Sequence, residues 1–217
     1  MVLSLDFLRR IFGKRPDDQP VPQGAPPPLI SRPVESIETG FVRRHFYNEA
    51  GFQTYGSFFN AWSGWITAAH VLDEAKGLLP PFADGIIDKW PVGLDAALIG
   101  CTLPDDKPSA PASGQRIKCI GYPAGSAHPA ERHAQVYMER PGQPDTWIAH
   151  ILQPDEPVVT GMSGGAVIDT QSGLPIGIII TRNSPADLNN DRDPDESLDF
   201  VSLAGIWQAL QTGPSVA

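Results

Sequence analysis

Ser163 stands among glycines in the stretch Thr160-Gly161-Met162-Ser163-Gly164-Gly165, just ahead of the apolar run Ala166-Val167-Ile168. Glycines let a chain turn tightly and bare its backbone N–H groups. Two such groups beside a nucleophilic oxygen suit acyl transfer, because they stabilise the oxyanion that forms when the oxygen attacks a carbonyl. A serine hydroxyl is a weak nucleophile until a base takes its proton, and the base needs a third group to orient it. Candidates for both lie upstream. His70 closes the run Trp65-Ile66-Thr67-Ala68-Ala69-His70, and Asp95 opens Asp95-Ala96-Ala97-Leu98-Ile99. Taken singly, each has a plain structural alternative: a glycine-serine turn, a strand-end histidine, an aspartate that turns or caps the chain.

Taken together, the three stretches resemble the chymotrypsin-like serine peptidases. T-A-A-H surrounds His70, D-A-A-L stands at Asp95 near that family's D-[IL]-A-L, and G-M-S-G-G surrounds Ser163, in the family's order His, Asp, Ser. The resemblance covers roughly residues 41 to 210 and is strongest to the compact bacterial branch, with its glutamyl endopeptidases and Htr-type proteases. Gly121-Tyr122-Pro123 matches a G-Y-P frequent in that branch. The resemblance implies a serine endopeptidase that needs no cofactor. Ser163 would be the nucleophile, His70 the base, Asp95 its orienter, and the N–H groups of Gly161 and Ser163 the oxyanion hole. A latent or non-catalytic peptidase fold, serving as a binding module, is the alternative. An α/β-hydrolase elbow also reads G-x-S-x-G, but that fold needs its histidine after the serine, and no histidine follows Ser163.

Positioning these residues requires many short strands. Glycine (21) and proline (23) are frequent, as they are in chains of strands joined by turns. The expected fold is all-β, with two six-stranded antiparallel barrels: the first over about 41–103, the second over about 115–203, and a C-terminal helix over about 203–211. Gly56-Ser57-Phe58-Phe59 matches the family's G-S-x-F strand, and Ile176-Gly177-Ile178-Ile179-Ile180 matches the strand whose edge pairs with substrate. Pro157, Ile179, Ile180 and Thr181 are the candidate substrate-pocket residues. Met162 replaces the aspartate that pancreatic-type enzymes pair with a newly cut N-terminus, so that activation switch is not expected. Pro157 stands where trypsins carry a charge-selecting aspartate, so a trypsin-like preference is disfavoured, although Asp155 and Glu156 are close by.

Ahead of this body, residues 1–15 carry apolar side chains at helical spacing (Leu5, Leu8, Ile11, Phe12) and a net charge of +3. Such a segment could meet an anionic membrane surface or a protein partner, or dock on its own domain. Residues 16–40 read as a proline-rich linker. The basic residues follow the short apolar run, so no secretory signal is read, and the expected location is cytoplasmic, with a peripheral membrane tie left open through residues 1–15.

Composition narrows the function further. The net charge of −9 over 217 residues argues against a general nucleic-acid binder and identifies no substrate; a protein or peptide substrate is what the resemblance implies. Cys101 and Cys119 each sit beside apolar residues and read as buried thiols in preference to a disulfide. His45, His128, His133 and His150 stand at no convincing zinc spacing, so no metal site is expected; His150 could line the binding cleft. Residues 183–199, at net −5, read as a solvated acidic loop in preference to a calcium loop, because Arg192 and Leu198 stand where an EF-hand needs glycine and glutamate.

Overall fold

The strands around His70 show how the N-terminal half of the chain is built. The computed structural model describes residues 34–36, 41–47, 53–75, 87–89, 93–153, 158–183 and 197–212. The chain divides into the units Met1–Ser31 and Arg32–Ala217, and every described residue belongs to the second. Strand β3 (Gln53–Ala61) turns back into β4 (Gly64–Thr67) through Trp62 and Ser63, both at positive φ (54° and 62°). That pair of angles is the tight hairpin geometry matched to strand twist, and it normally falls to Asn-Gly. A side chain in this region is strained. Ser63→Gly is therefore expected to stabilise the fold by about 0.5–1 kcal/mol. Urea denaturation reads this directly, and an unchanged or lower midpoint would contradict it.

Six antiparallel strands form the first sheet. With β1 (Val34–Ser36), β2 (Phe41–Tyr47), β5 (Ile87–Lys89) and β6 (Ala97–Ile99), the order is β1-β2-β3-β4-β6-β5. The sequence predicts a closed barrel here; among the described residues the sheet is open. Among the described residues its edge strands are β1 and β5. Strand β1 falls inside the stretch read as linker, and it pairs Val34–Ser36 with Phe41–Arg43.

The second sheet is closed. Strands β7 (Arg116–Gly121), β8 (Ala130–Glu139), β9 (Thr146–Ile151), β10 (Ala166–Asp169), β11 (Pro175–Asn183) and β12 (Ser197–Ser202) form an antiparallel barrel in the order β10-β11-β12-β9-β8-β7. Pairing of β10 with β7 completes the ring. Helix α1 (Ala69–Ala75) follows β4, and α2 (Leu203–Thr212) follows β12. Ser202 caps α2 by accepting the Gly205 N–H at 2.9 Å, which marks where the last strand stops.

Several barrel strands are buried on both faces. Ile176, Ile179, Leu198, Phe200 and Val167 fill the barrel, whereas Ala166, Ile178 and Val201 pack against Phe58, Ile66 and Leu98 of the first sheet and Ile206 of α2. Burial on both faces explains the unbroken β-branched run in β11: a strand with two covered faces has no polar side to alternate. Cys101 and Cys119 are buried free thiols. Burial pushes the Cys119 thiol up to about 12, which keeps it protonated and unreactive.

Candidate active site

Antiparallel pairing of β4 with β6 brings His70 and Asp95 together. Thr67, the last residue of β4, faces Ala97, the first of β6. His70 lies three residues beyond Thr67 and Asp95 two residues before Ala97, so both side chains emerge at the same end of the ladder. Asp95 Oδ2 lies 2.6 Å from His70 Nδ1, and Asp95 Oδ1 accepts the His70 backbone N–H at 2.9 Å. The carboxylate thus grips the ring and the start of α1 at once. Burial alone would raise the Asp95 pKa. The hydrogen bonds from the His70 ring and backbone, its charge and a bond from the Ala69 N–H together outweigh burial and hold the carboxyl below its ordinary value. An ionised Asp95 keeps the proton of a neutral imidazole on Nδ1 and leaves Nε2 as the basic nitrogen. His70 and Asp95 side chains are 39% and 29% exposed, so the pair faces an accessible cleft.

The Ser163 loop is held peptide by peptide. The carbonyl of Thr160 accepts the Ala124 N–H at 2.7 Å, and that of Met162 accepts the Gly165 N–H at 2.9 Å. The peptide between them is anchored at both ends: the Met162 N–H donates to Val159 at 3.1 Å, and the Gly161 carbonyl accepts the Ser57 hydroxyl at 2.8 Å. Among the described residues, the N–H groups of Gly161 and Ser163 make no hydrogen bond. Both belong to peptides whose carbonyl ends are fixed, so their direction is set before anything binds.

Two glycines make this loop fit. Gly161 has φ 94°, and a Cβ there would come within 2.7 Å of the Tyr122 carbonyl; Gly164 has φ 84°, and a Cβ would overlap the Ser57 carbonyl and Thr67 Oγ1. A side chain at Gly164 would force the loop off the first sheet, and one at Gly161 would force it off the segment that follows β7.

The Ser163 hydroxyl donates to the Ile180 carbonyl at 3.0 Å. A hydroxyl has one proton to give, so in this arrangement it is not given to His70. Ile180 is the bulged residue of β11, between Ile179 paired with Phe200 and Thr181 paired with Asp199. Together with Asp95 and Thr181, it lines a cavity of about 550 Å³ whose other walls include Arg140, Thr146 and Asp199. Ile180 thus accepts from Ser163 and lines the same cavity as Asp95.

No family model matches the sequence, and no curated protein does. Solved structures do. The chain is similar to the active form of the Rv3671c protease from M. tuberculosis, with 18% identity, 88% of this chain and 90% of that chain covered, and a TM-score of 0.55. It is also similar to the HtrA-type protease AlgW with a tripeptide, with 16% identity over 80% of this chain and 60% of that one, and a TM-score of 0.55. This is a chymotrypsin-like protease fold. At such identities the likeness is one of fold alone.

Within the chymotrypsin-like fold, one expected pocket residue has another place. Ile179 is fully buried in the barrel core, and its backbone N–H and carbonyl are taken by Gly165 and Gly164, each at 2.8 Å. Ile180 and Thr181 are among the residues around the cavity of about 550 Å³. Pro157 lies outside the described residues, as do 184–196 of the acidic loop. Asp199, counted with that loop in the sequence, instead sits in β12 and is buried against Arg140 Nη2 at 2.5 Å. His150 does not line this cavity; its ring meets Tyr137 edge to face, with centroids 4.9 Å apart.

The Arg140–Asp199 pair had no sequence signal, and Ser57 had only its place in the G-S-x-F match, which named no role for it. The pair lies 59 positions apart, and only the β8–β9 hairpin folding back beside β12 joins it. Asp199→Ala leaves the guanidinium without this carboxylate in a half-buried wall, so it should destabilise the fold by about 2–3 kcal/mol, somewhat below the cost of splitting a fully buried pair. Thermal denaturation of the variant measures this, and a shift under about 0.5 kcal/mol would show the pair to be no more than a surface contact.

Proposed function

We propose that this chain is a serine endopeptidase that hydrolyses peptide bonds through His70, Asp95 and Ser163 and an acyl-enzyme intermediate. The observation that carries the reading is the two-point grip of Asp95 on His70, on the ring at 2.6 Å and on the backbone at 2.9 Å, beside the anchored Ser163 loop. A structural histidine needs no such carboxylate. A general base does, because it must hold one tautomer and carry positive charge in the transition state.

In this reading the Ser163 hydroxyl turns from the Ile180 carbonyl to His70 Nε2 and attacks the substrate carbonyl. The bond from Ser163 Oγ to the carbonyl carbon forms as the proton passes to His70. The Gly161 and Ser163 N–H groups receive the oxyanion. His70 then gives its proton to the leaving amine, and water repeats the sequence to release the acid. The chemistry draws on no cofactor. Neither cysteine offers a rival nucleophile, since both are buried. A bound tripeptide in the AlgW structure supports a peptide as the ligand class for this fold. The first sheet supplies His70 and Asp95.

The Ser163–Ile180 hydrogen bond favours a second reading, a latent peptidase whose hydroxyl stays turned away until substrate or a partner displaces it. Residues 1–15 are the proposed contact for such a partner or for a membrane surface, in a cytoplasmic protein. No helix among the described residues is long and apolar enough to cross a membrane. Digestion of a diverse peptide library, read by mass spectrometry, tests the proposal. New termini absent from a Ser163→Ala control are expected. No cleavage by the folded wild type, alone or after removal of residues 1–34, would overturn it.

A further inference from the structure

Ser57 lies in β3, fully buried, 13 positions before His70 and far from Ser163 in the chain. Its hydrogen bonds do not go where a strand residue's usually go. The β3–β4 ladder pairs Phe59 through Ala61 with Gly64 through Ile66, so Ser57 lies beyond its end. A buried N–H and C=O must still be satisfied. The Ser57 N–H donates to the Ser163 carbonyl at 2.8 Å, and its own carbonyl accepts the Thr67 hydroxyl at 2.8 Å. The side chain does more. Ser57 Oγ donates to the Gly161 carbonyl at 2.8 Å and accepts the Tyr122 N–H at 2.8 Å. One residue of the first sheet thus holds two carbonyls of the Ser163 loop and the end of β7.

We infer that the Ser57 hydroxyl is a positioning group for the oxyanion site, fixing the Gly161–Met162 peptide so that the N–H groups on either side of it face the reacting carbonyl. The inference rests on the proposed peptidase reading and adds a residue to it. The geometry supplies the reason. The Gly161–Met162 plane lies between the two peptides that present the Gly161 and Ser163 N–H groups. If that plane rotates, the φ and ψ angles of Gly161 and Met162 change, and the two donors no longer converge. Gly161 is a glycine at positive φ, so its own backbone resists rotation little. The restraint must come from outside: the Val159 carbonyl holds the N–H end, and Ser57 Oγ holds the carbonyl end. The Met162 side chain is fully buried and steadies the same peptide, but it cannot replace the lost acceptor contact.

The test compares wild type with Ser57→Ala on a peptidyl ester and its thionoester. The expected result is a fall in kcat of about 10- to 100-fold for the ester, with KM changed less than about twofold. The ester-to-thionoester rate ratio should also shrink, because sulfur draws less on oxyanion donors and has less to lose. A merely structural serine would lower the melting temperature and leave the kcat of folded protein and the ratio unchanged; that outcome overturns the inference while leaving the peptidase reading intact. Should Ser57→Ala not fold, Ser57→Cys keeps the volume with a weaker donor, and the same split is expected in milder form. A folded wild type that hydrolyses neither substrate overturns the peptidase reading and this inference with it.

Discussion

Ser163→Ala is expected to lower kcat for peptide hydrolysis by on the order of 10⁶-fold while leaving the fold unchanged. The size follows from the role: without Oγ there is no acyl-enzyme, and His70 has no nucleophile to activate. Only the binding site and the Gly161 and Ser163 N–H groups would still act, and those alone give a small acceleration over water. The stability cost should be slight. Ser163 Oγ makes one hydrogen bond, to the Ile180 carbonyl, at a partly buried site. The loop is held by its backbone bonds to Ser57, Ala124 and Ile179. Steady-state kinetics together with a melting curve check both halves. Residual hydrolysis within about tenfold of wild type would exclude Ser163 as the nucleophile.

Asp95→Asn carries the second largest effect, a loss on the order of 10⁴-fold in kcat near neutral pH. Asparagine keeps the shape, and its side-chain oxygen can still accept the His70 backbone N–H. Its amide would then face Nδ1 as a donor, so the ring would place its own proton on Nε2, where it cannot accept from Ser163. The charge that stabilises the imidazolium is lost as well. The same substitution bears on stability through pH. The Asp95 pKa is lowered from its ordinary 3.8 on folding, so the folded state binds fewer protons. That contribution is fully present above the ordinary value and is lost as pH falls through the lowered one. Wild type should therefore lose stability below about pH 4 more steeply than Asp95→Asn does. Denaturation curves between neutral and strongly acid pH check the slope, and kinetics check the rate; near-normal turnover would remove Asp95 from the mechanism.

The chemistry was more legible in the chain than the architecture around it. His70 and Asp95 stand out in the sequence by their resemblance to the family's motifs; that they meet is visible only in the pairing of β4 with β6. The Gly161–Gly165 turn announced itself because glycine marks places where a side chain cannot fit. Ser57 was marked only as part of the G-S-x-F strand, and its role could not be found this way. Its role exists only where β3 runs beside the Ser163 loop. Asp199 misled for a related reason: its neighbours in the chain are acidic and polar, while the Arg140 that buries it comes from another hairpin. Ile179 and Ile180 are adjacent and alike, yet one fills the barrel and the other lines the cavity, because a bulge falls between Ile179 and Thr181. Bulges leave little trace in composition.

The central claim is an assembled, activated serine, and labelling with a fluorophosphonate probe tests it most directly. The probe reacts with a serine only where a base draws off its proton and donors receive the phosphoryl oxygen. Full-length protein should label, with the adduct on Ser163 by mass spectrometry, and both Ser163→Ala and His70→Ala should abolish the signal. A folded wild type that stays unlabelled, or labelling that survives in either variant, would contradict the account.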